Sequence, residues 1–248
     1  MLVSTEHFRV NAINTSLHNR LTIPSLAGFM QEAAYKNVEE NGLPGQSLMA
    51  QGMAWVLLKI QVQVNQLPGH REGLRLTTYP AGSERFFFYR DYIFEDGAGN
   101  HCGQASSMWV LIDLQSRKPC KVPEQVLPLA RSAVEAPLPR PGKITLPGFK
   151  TPAASFTARW LDMDVNRHTN NSVYFRWIEE AMPEQVLQTC TIGQVAIAFK
   201  EECLLNDEVE VYCEPVSGLS FAHLLKRKAD GREVARASSQ WQKLQPEP

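Results

Sequence analysis

The feature that most constrains this chain is that it carries one pattern twice. HNRLTIPSLAGFMQEAA, from His18 to Ala34, lies over VNRHTNNSVYFRWIEEA, from Val165 to Ala181, without a gap. Further on, Asp96 and Gly97 correspond to Asp230 and Gly231, and ASSMW from Ala105 to Trp109 corresponds to ASSQW from Ala237 to Trp241. Landmarks that recur in the same order at both ends of two halves mark an internal duplication. The spacing between matched landmarks shrinks along the chain, so the first half carries the longer loops.

Between the halves lies a stretch that cannot form a regular element of any length. Eight of the 16 prolines fall between Lys118 and Pro152, and each removes a backbone donor and disfavours helix in the residue before it. We expect a first domain over 1–117, a proline-rich connection over 118–152 and a second domain over 153–248. With 248 residues, 44% of them apolar, the chain can bury a core in each.

Each half reads as a helix followed by strands. In the first, Ser25 can cap a helix with Leu26, Phe29, Met30, Ala33 and Val38 at intervals of three and four, and Gly42 stands beyond its end. Ile60, Val62 and Val64 then alternate with Gln61 and Gln63, and LRLTTYP, RFFFYRDYIFED and SSMWVLIDL follow, rich in β-branched and aromatic residues. In the second, Val173, Trp177, Ile178 and Ala181 make the helix stripe and Pro183 stops it, before QVAIAF, DEVEVYCEP, SFAHLLKRKA and EVARASSQWQKL supply strands. A long helix wrapped by an antiparallel sheet, made twice, is the α+β pattern of a tandem hotdog fold.

Charge narrows the function. Lysine and arginine total 25 against 26 acidic residues, which leaves no field for gathering nucleic acid. The sequence after Met1, LVSTEHFRV, lacks a signal peptide, and no uncharged stretch reaches membrane-spanning length, so a cytoplasmic protein without membrane association is expected. Cys102, Cys120, Cys190, Cys203 and Cys213 are odd in number and never form CxxC, which fits reduced thiols and no metal site.

The chemistry concentrates in LDMDVNRHTNNSVYF. Asp164, Asn166 and His168 stand two apart, and in an extended segment a carboxylate, an amide and an imidazole at that spacing share a face. A helix begins just after them, and its first turn offers backbone N–H groups to an anion or oxyanion. Activated water, an orienting group and donors to a carbonyl oxygen are what thioester hydrolysis needs. The first half keeps Asn19 and Arg20 but has Leu21 in place of His168, and Ile23 and Pro24 in place of Asn170 and Asn171. We therefore expect catalysis in the second half and the acyl chain in the first, near Met30, Met53 and Trp55. Asn170, Asn171 and Ser172 are predicted helix caps. Asp162, Asp164 and Asn166 also mimic a calcium loop, but Arg167 stands where glycine is obligatory and Val173 where the bidentate glutamate belongs. Phe86, Phe87, Phe88 and Tyr89 lie in a strand pattern without a surrounding basic cluster and are assigned to core packing.

DMDVNRHTNNSVYFRWIEEA and the downstream KEECLLNDEVEV resemble the paired motifs of plastid and bacterial acyl-ACP thioesterases. That resemblance implies hydrolysis of fatty acyl thioesters on acyl carrier protein, no cofactor, and Asp164, Asn166 and His168 as the polar catalytic group. It adds Glu202 and Cys203 as the remaining candidates, and it leaves a homodimer open. Neighbours on a strand face opposite sides of a sheet, so without a bulge only one of these two can enter the site. A carboxylate beside His168 can polarise water or orient the ring, whereas Cys203 needs an activating base, so Glu202 is favoured and direct attack by water expected. Arg159, Arg167, Arg176 and Lys200 are near enough in sequence to meet an acidic carrier. A hotdog hydratase or dehydratase, or a non-catalytic acyl-binding module, are the competing readings.

Overall fold

A computed structural model describes residues 2–42, 45–135 and 137–244. They group into two compact units, Met1–Pro141 and Gly142–Pro248. The first contains β1 (Ser4–Arg9), α1 (Ile23–Glu40), α2 (Gly45–Ala50), β2 (Met53–Val64), β3 (Gly73–Glu84), β4 (Phe87–Asp96) and β5 (His101–Asp113). Its antiparallel strands lie in the order β1-β3-β4-β5-β2. The second contains β6 (Ala154–Thr157), α3 (Asn171–Glu180), α4 (Glu184–Thr189), β7 (Cys190–Phe199), β8 (Glu208–Ser217), β9 (Ser220–Arg227) and β10 (Glu233–Lys243), with strands ordered β6-β8-β9-β10-β7. Both sheets therefore run first, third, fourth, fifth, second strand, with the long helix between the first two in sequence. This is the hotdog arrangement, built twice.

The repetition reaches individual side chains. Phe8 of β1 stacks on Phe29 of α1 at 4.4 Å, and Phe156 of β6 stacks on Trp177 of α3 at 6.0 Å. Trp109 Nε1 donates to Ser107 Oγ at 2.8 Å, and Trp241 Nε1 to Ser239 Oγ at 3.0 Å. Asp96 and Asp230 both sit in the hairpin joining the third-placed to the fourth-placed strand, and each accepts backbone N–H groups of that turn.

Every strand expected from sequence is present. On β2, Ile60, Val62 and Val64 are buried in alternation, as read. The helix stripes hold in outline: α1 buries Ile23, Leu26, Met30, Ala33 and the polar Asn37, while Phe29 and Val38 are partly buried, Val38 against the cluster of Leu48, Phe88 and Leu111. Asn37 is accepted there because its Nδ2 donates to Leu2 O and Ser4 Oγ. The cap of α1 is Thr22, not Ser25. Thr22 is extended, its side chain accepts from Ser25 N at 3.3 Å, and Pro24 falls in the first turn, where a missing N–H costs nothing.

The proline-rich stretch lies mostly against the first unit. A 3₁₀ turn, Glu124–Ala130, inserts Val126 and Leu129 into a cluster with Leu48, Phe88 and Leu111, against which Met53 and Trp55 also pack. Leu138 N donates to Asp91 Oδ2 at 2.7 Å, and Arg140 lies 4.1 Å over the Tyr89 ring while donating to Ala81 O. Among the described residues no helix is long and apolar enough to cross a membrane.

Candidate active site

The segment from Met163 to Thr169 is a closed turn, not the extended strip expected. Met163 and Thr169 form an isolated antiparallel bridge, Asp164 N donates to His168 O at 2.9 Å, and Arg167 adopts φ 64°. Asp164 makes the turn: its Oδ1 accepts from Asn166 N at 2.8 Å and from His168 N at 3.2 Å, and Asn166 Nδ2 lies 3.5 Å from Oδ2. Short acceptors of this kind compete with strand pairing by bonding their own neighbours, which is why alternation failed here. The three residues still come together, but through hydrogen bonds of Asp164 and not through a shared strand face.

A second loop, residues 200–207 between β7 and β8, is fastened to this turn. Thr169 N donates to Cys203 O at 2.8 Å, Ala158 N to Asp207 O at 2.9 Å and Asn206 N to Ala158 O at 2.9 Å. The result places His168 Nε2 at 3.3 Å from Glu202 Oε2, with both side chains about one-third exposed (32% and 38%). Cys203 goes the other way. It is 0% exposed, and burial pushes its thiol up, against a hydrogen bond from Tyr174 that lowers it. Glu202 and Cys203 thus diverge as neighbours should, although they stand in a loop and not on a strand.

Two further groups act on this arrangement without having been singled out in the sequence. Arg227, at the end of β9, reaches Glu201 at 2.8 Å, Asp230 at 3.2 Å and Asp207 at 3.3 Å, and its Nη1 donates to Glu202 O at 3.4 Å. It pins the loop that carries Glu202. No local signal marks it, because β8 and β9 must pair before it meets the loop. Tyr174 of α3 lines the other side of Cys203, and burial pushes its phenol up.

At the start of α3 the expected capping falls to Asn170, while Asn171 and Ser172 lie inside the helix. Asn170 is its cap, accepting from Ser172 N at 2.9 Å and Ser172 Oγ at 2.8 Å, while Val173 N donates to Asn170 O at 3.0 Å. Two of the first-turn donors expected to face an oxyanion are therefore consumed by the cap. Asp162 is likewise committed, to Arg159 N at 2.8 Å and Arg176 at 2.7 Å. In the first unit Leu21, at the position matching His168, is 3% exposed and brings no imidazole to the corresponding place.

A family model described as the acyl-ACP thioesterase N-terminal domain matches residues 2–129, and one described as the acyl-ACP thioesterase C-terminal domain matches residues 150–243. Among similar sequences, the chloroplastic hydrolase FATB2 of Cuphea viscosissima, which acts on acyl-acyl-carrier-protein by its name, is 28% identical over 97% of this chain and 63% of its own length. The chloroplastic palmitoyl-acyl carrier protein thioesterase of Arabidopsis thaliana is 26% identical over 99% of this chain and 65% of its own. The chain thus spans just under two thirds of these relatives. A crystal structure of an acyl-ACP thioesterase from Bacteroides thetaiotaomicron superposes with a TM-score of 0.89 at 24% identity, covering 97% of this chain and 98% of that one, and so shares the fold.

Proposed function

The chain belongs to the acyl-ACP thioesterase family, and from that membership we propose that it hydrolyses fatty acyl thioesters of acyl carrier protein, releasing free fatty acid in fatty acid biosynthesis. The observation that carries the reading is the pairing of His168 Nε2 with Glu202 Oε2 across two hydrogen-bonded loops. Glu202 takes a proton from water as its oxygen bonds to the thioester carbonyl carbon. His168 donates from Nε2 and holds the carboxylate in place. Asn166 has a second N–H on Nδ2 with which to meet the carbonyl oxygen. When the C–S bond breaks, the proton held by Glu202 passes to the leaving sulfur, so that acid and thiol account for every atom of thioester and water. The free cysteines fit a reducing compartment, for which we propose the cytoplasm.

Carrier protein loaded with a saturated acyl group decides the matter. A hydrolase frees the phosphopantetheine thiol, whereas a dehydratase or a binding module leaves the thioester intact. His168→Ala and Glu202→Ala should each lower turnover by about 100-fold or more while the fold, followed by circular dichroism, is kept. Wild-type rates in either variant remove that residue from the mechanism.

A further inference from the structure

The two loops that make the site also expose apolar side chains that a folded surface ordinarily hides. Trp160 is 76% exposed, Leu161 95% and Val165 93%, and Leu204 and Leu205 of the facing loop are exposed as well. Their loops are held side by side by the backbone bonds Ala158 N to Asp207 O, Asn206 N to Ala158 O and Thr169 N to Cys203 O. Apolar residues scattered singly need no explanation, but five on two bonded loops beside His168 and Glu202 point to an interaction site.

The charges around this patch are lopsided. Its carboxylates are engaged: Asp162 with Arg176, Glu201 and Asp207 with Arg227, Asp164 with the turn backbone, Glu202 with His168. Arg159, Arg167 and Lys200 are exposed on the same loops, and among the described residues no carboxylate pairs with any of them. An apolar centre rimmed by uncommitted cations complements a partner that presents apolar side chains within an acidic face.

We infer that the loops 158–168 and 200–205 are the docking surface for the acidic acyl carrier protein, with Trp160, Leu161 and Val165 as the apolar anchor and Arg159, Arg167 and Lys200 as the charged rim. The inference rests on the proposed thioesterase activity and adds to it where the carrier sits. Docking there sets the carrier over His168 and Glu202, so a tethered thioester needs to travel only the length of its own arm.

The test compares two substrates bearing the acyl group that the wild type turns over fastest, one on acyl carrier protein and one on pantetheine, which is uncharged and has no protein to dock. Leu161→Glu and the double variant Arg159→Glu/Arg167→Glu should raise KM for the carrier substrate by about tenfold or more, leaving both constants for the pantetheine substrate within about twofold. Ile13→Glu, at the exposed place in the first unit that matches Trp160, should change neither. Equal losses on both substrates would make these residues supports of the catalytic loops, and unchanged KM on both would place docking elsewhere; either result overturns the inference. So does a wild type that sediments with phosphatidylglycerol vesicles or dimerises through this patch and loses that property in Leu161→Glu. A wild type that frees thiol from neither substrate instead overturns the thioesterase reading itself.

Discussion

Asp164 shows how a catalytic-looking residue can work through its neighbours. Its Oδ1 is spent on the N–H groups of Asn166 and His168, so it shapes the turn instead of moving a proton. An amide oxygen can accept those same bonds. Asp164→Asn should therefore keep turnover within about fivefold, while Asp164→Ala, which removes the acceptor, should lose about tenfold or more. Steady-state kinetics on both variants separates the roles, since a residue that transfers protons would fail equally in each. Cys203 supplies the opposite case. Wholly buried, with its thiol pushed up by burial, it is a poor nucleophile, and Cys203→Ala should cost stability in a thermal melt while retaining most activity. The sequence left Glu202 and Cys203 unresolved because which neighbour turns inward depends on how the 200–207 loop is pinned.

That pinning belongs to elements. The loop between β7 and β8 has no regular structure of its own, and Arg227 at the end of β9 holds it through the carboxylates of Glu201 and Asp207 and the carbonyl of Glu202, while Asp230 of the following turn steadies the guanidinium. Arg227→Met should lower kcat by about tenfold with KM little changed, because Glu202 loses its position and not its chemistry. It should also cost on the order of 1 kcal/mol, since Glu201, Asp207 and Asp230, all partly exposed, are left facing one another without their shared cation. Arg227→Lys should recover only part of either loss, for an ammonium lacks the fork that reaches three acids. A change confined to the melt, with kcat intact, would reduce Arg227 to a structural tie. Elements were also where the sequence was most readable: eight strands announced themselves through β-branched and aromatic runs. β1 and β6 did not. They are edge strands, STEHFR with every other residue exposed and ASFT only four residues long, and their pairing comes from backbone groups that leave no mark on composition. The turn from Met163 to Thr169 differs from the extended strip that its two-residue spacing predicts for a related reason: Asp and Asn at those places favour local hydrogen bonds.

At the scale of the whole molecule, two titratable groups of the second unit, one of them buried where its twin in the first unit differs, oppose each other. In the first unit Tyr92 pairs with Ala105 across β4 and β5 and hydrogen-bonds Ser107; in the second, His223 pairs with Ala237 across β9 and β10, with Nε2 2.8 Å from Ser239 Oγ. The repeat thus put an imidazole where its twin has a phenol, and complete burial lowers the His223 pKa from 6.5 to about 3. On α3, Glu179 has a buried Oε1 with no hydrogen-bond partner among the described residues, and burial raises its pKa from 4.5 to about 8. Between pH 3 and 6.5 the unfolded chain binds a proton at His223 that the folded chain refuses, so stability falls as pH drops. Between 4.5 and 8 the folded chain keeps a proton at Glu179 that the unfolded chain has lost, so stability falls as pH rises. Where the windows overlap, from 4.5 to 6.5, the slopes cancel, and these two groups together give a plateau with a decline of about 1.4 kcal/mol per pH unit on either side. Denaturant melts across pH should show it. Glu179→Gln should abolish the alkaline decline up to pH 8 and make stability climb from 3 to 6.5, whereas His223→Tyr, which installs the residue of the twin, should abolish the acid decline and leave the alkaline one. A wild-type curve that peaks sharply, or variants that shift it without removing one limb, would mean that neither group governs the stability of the fold.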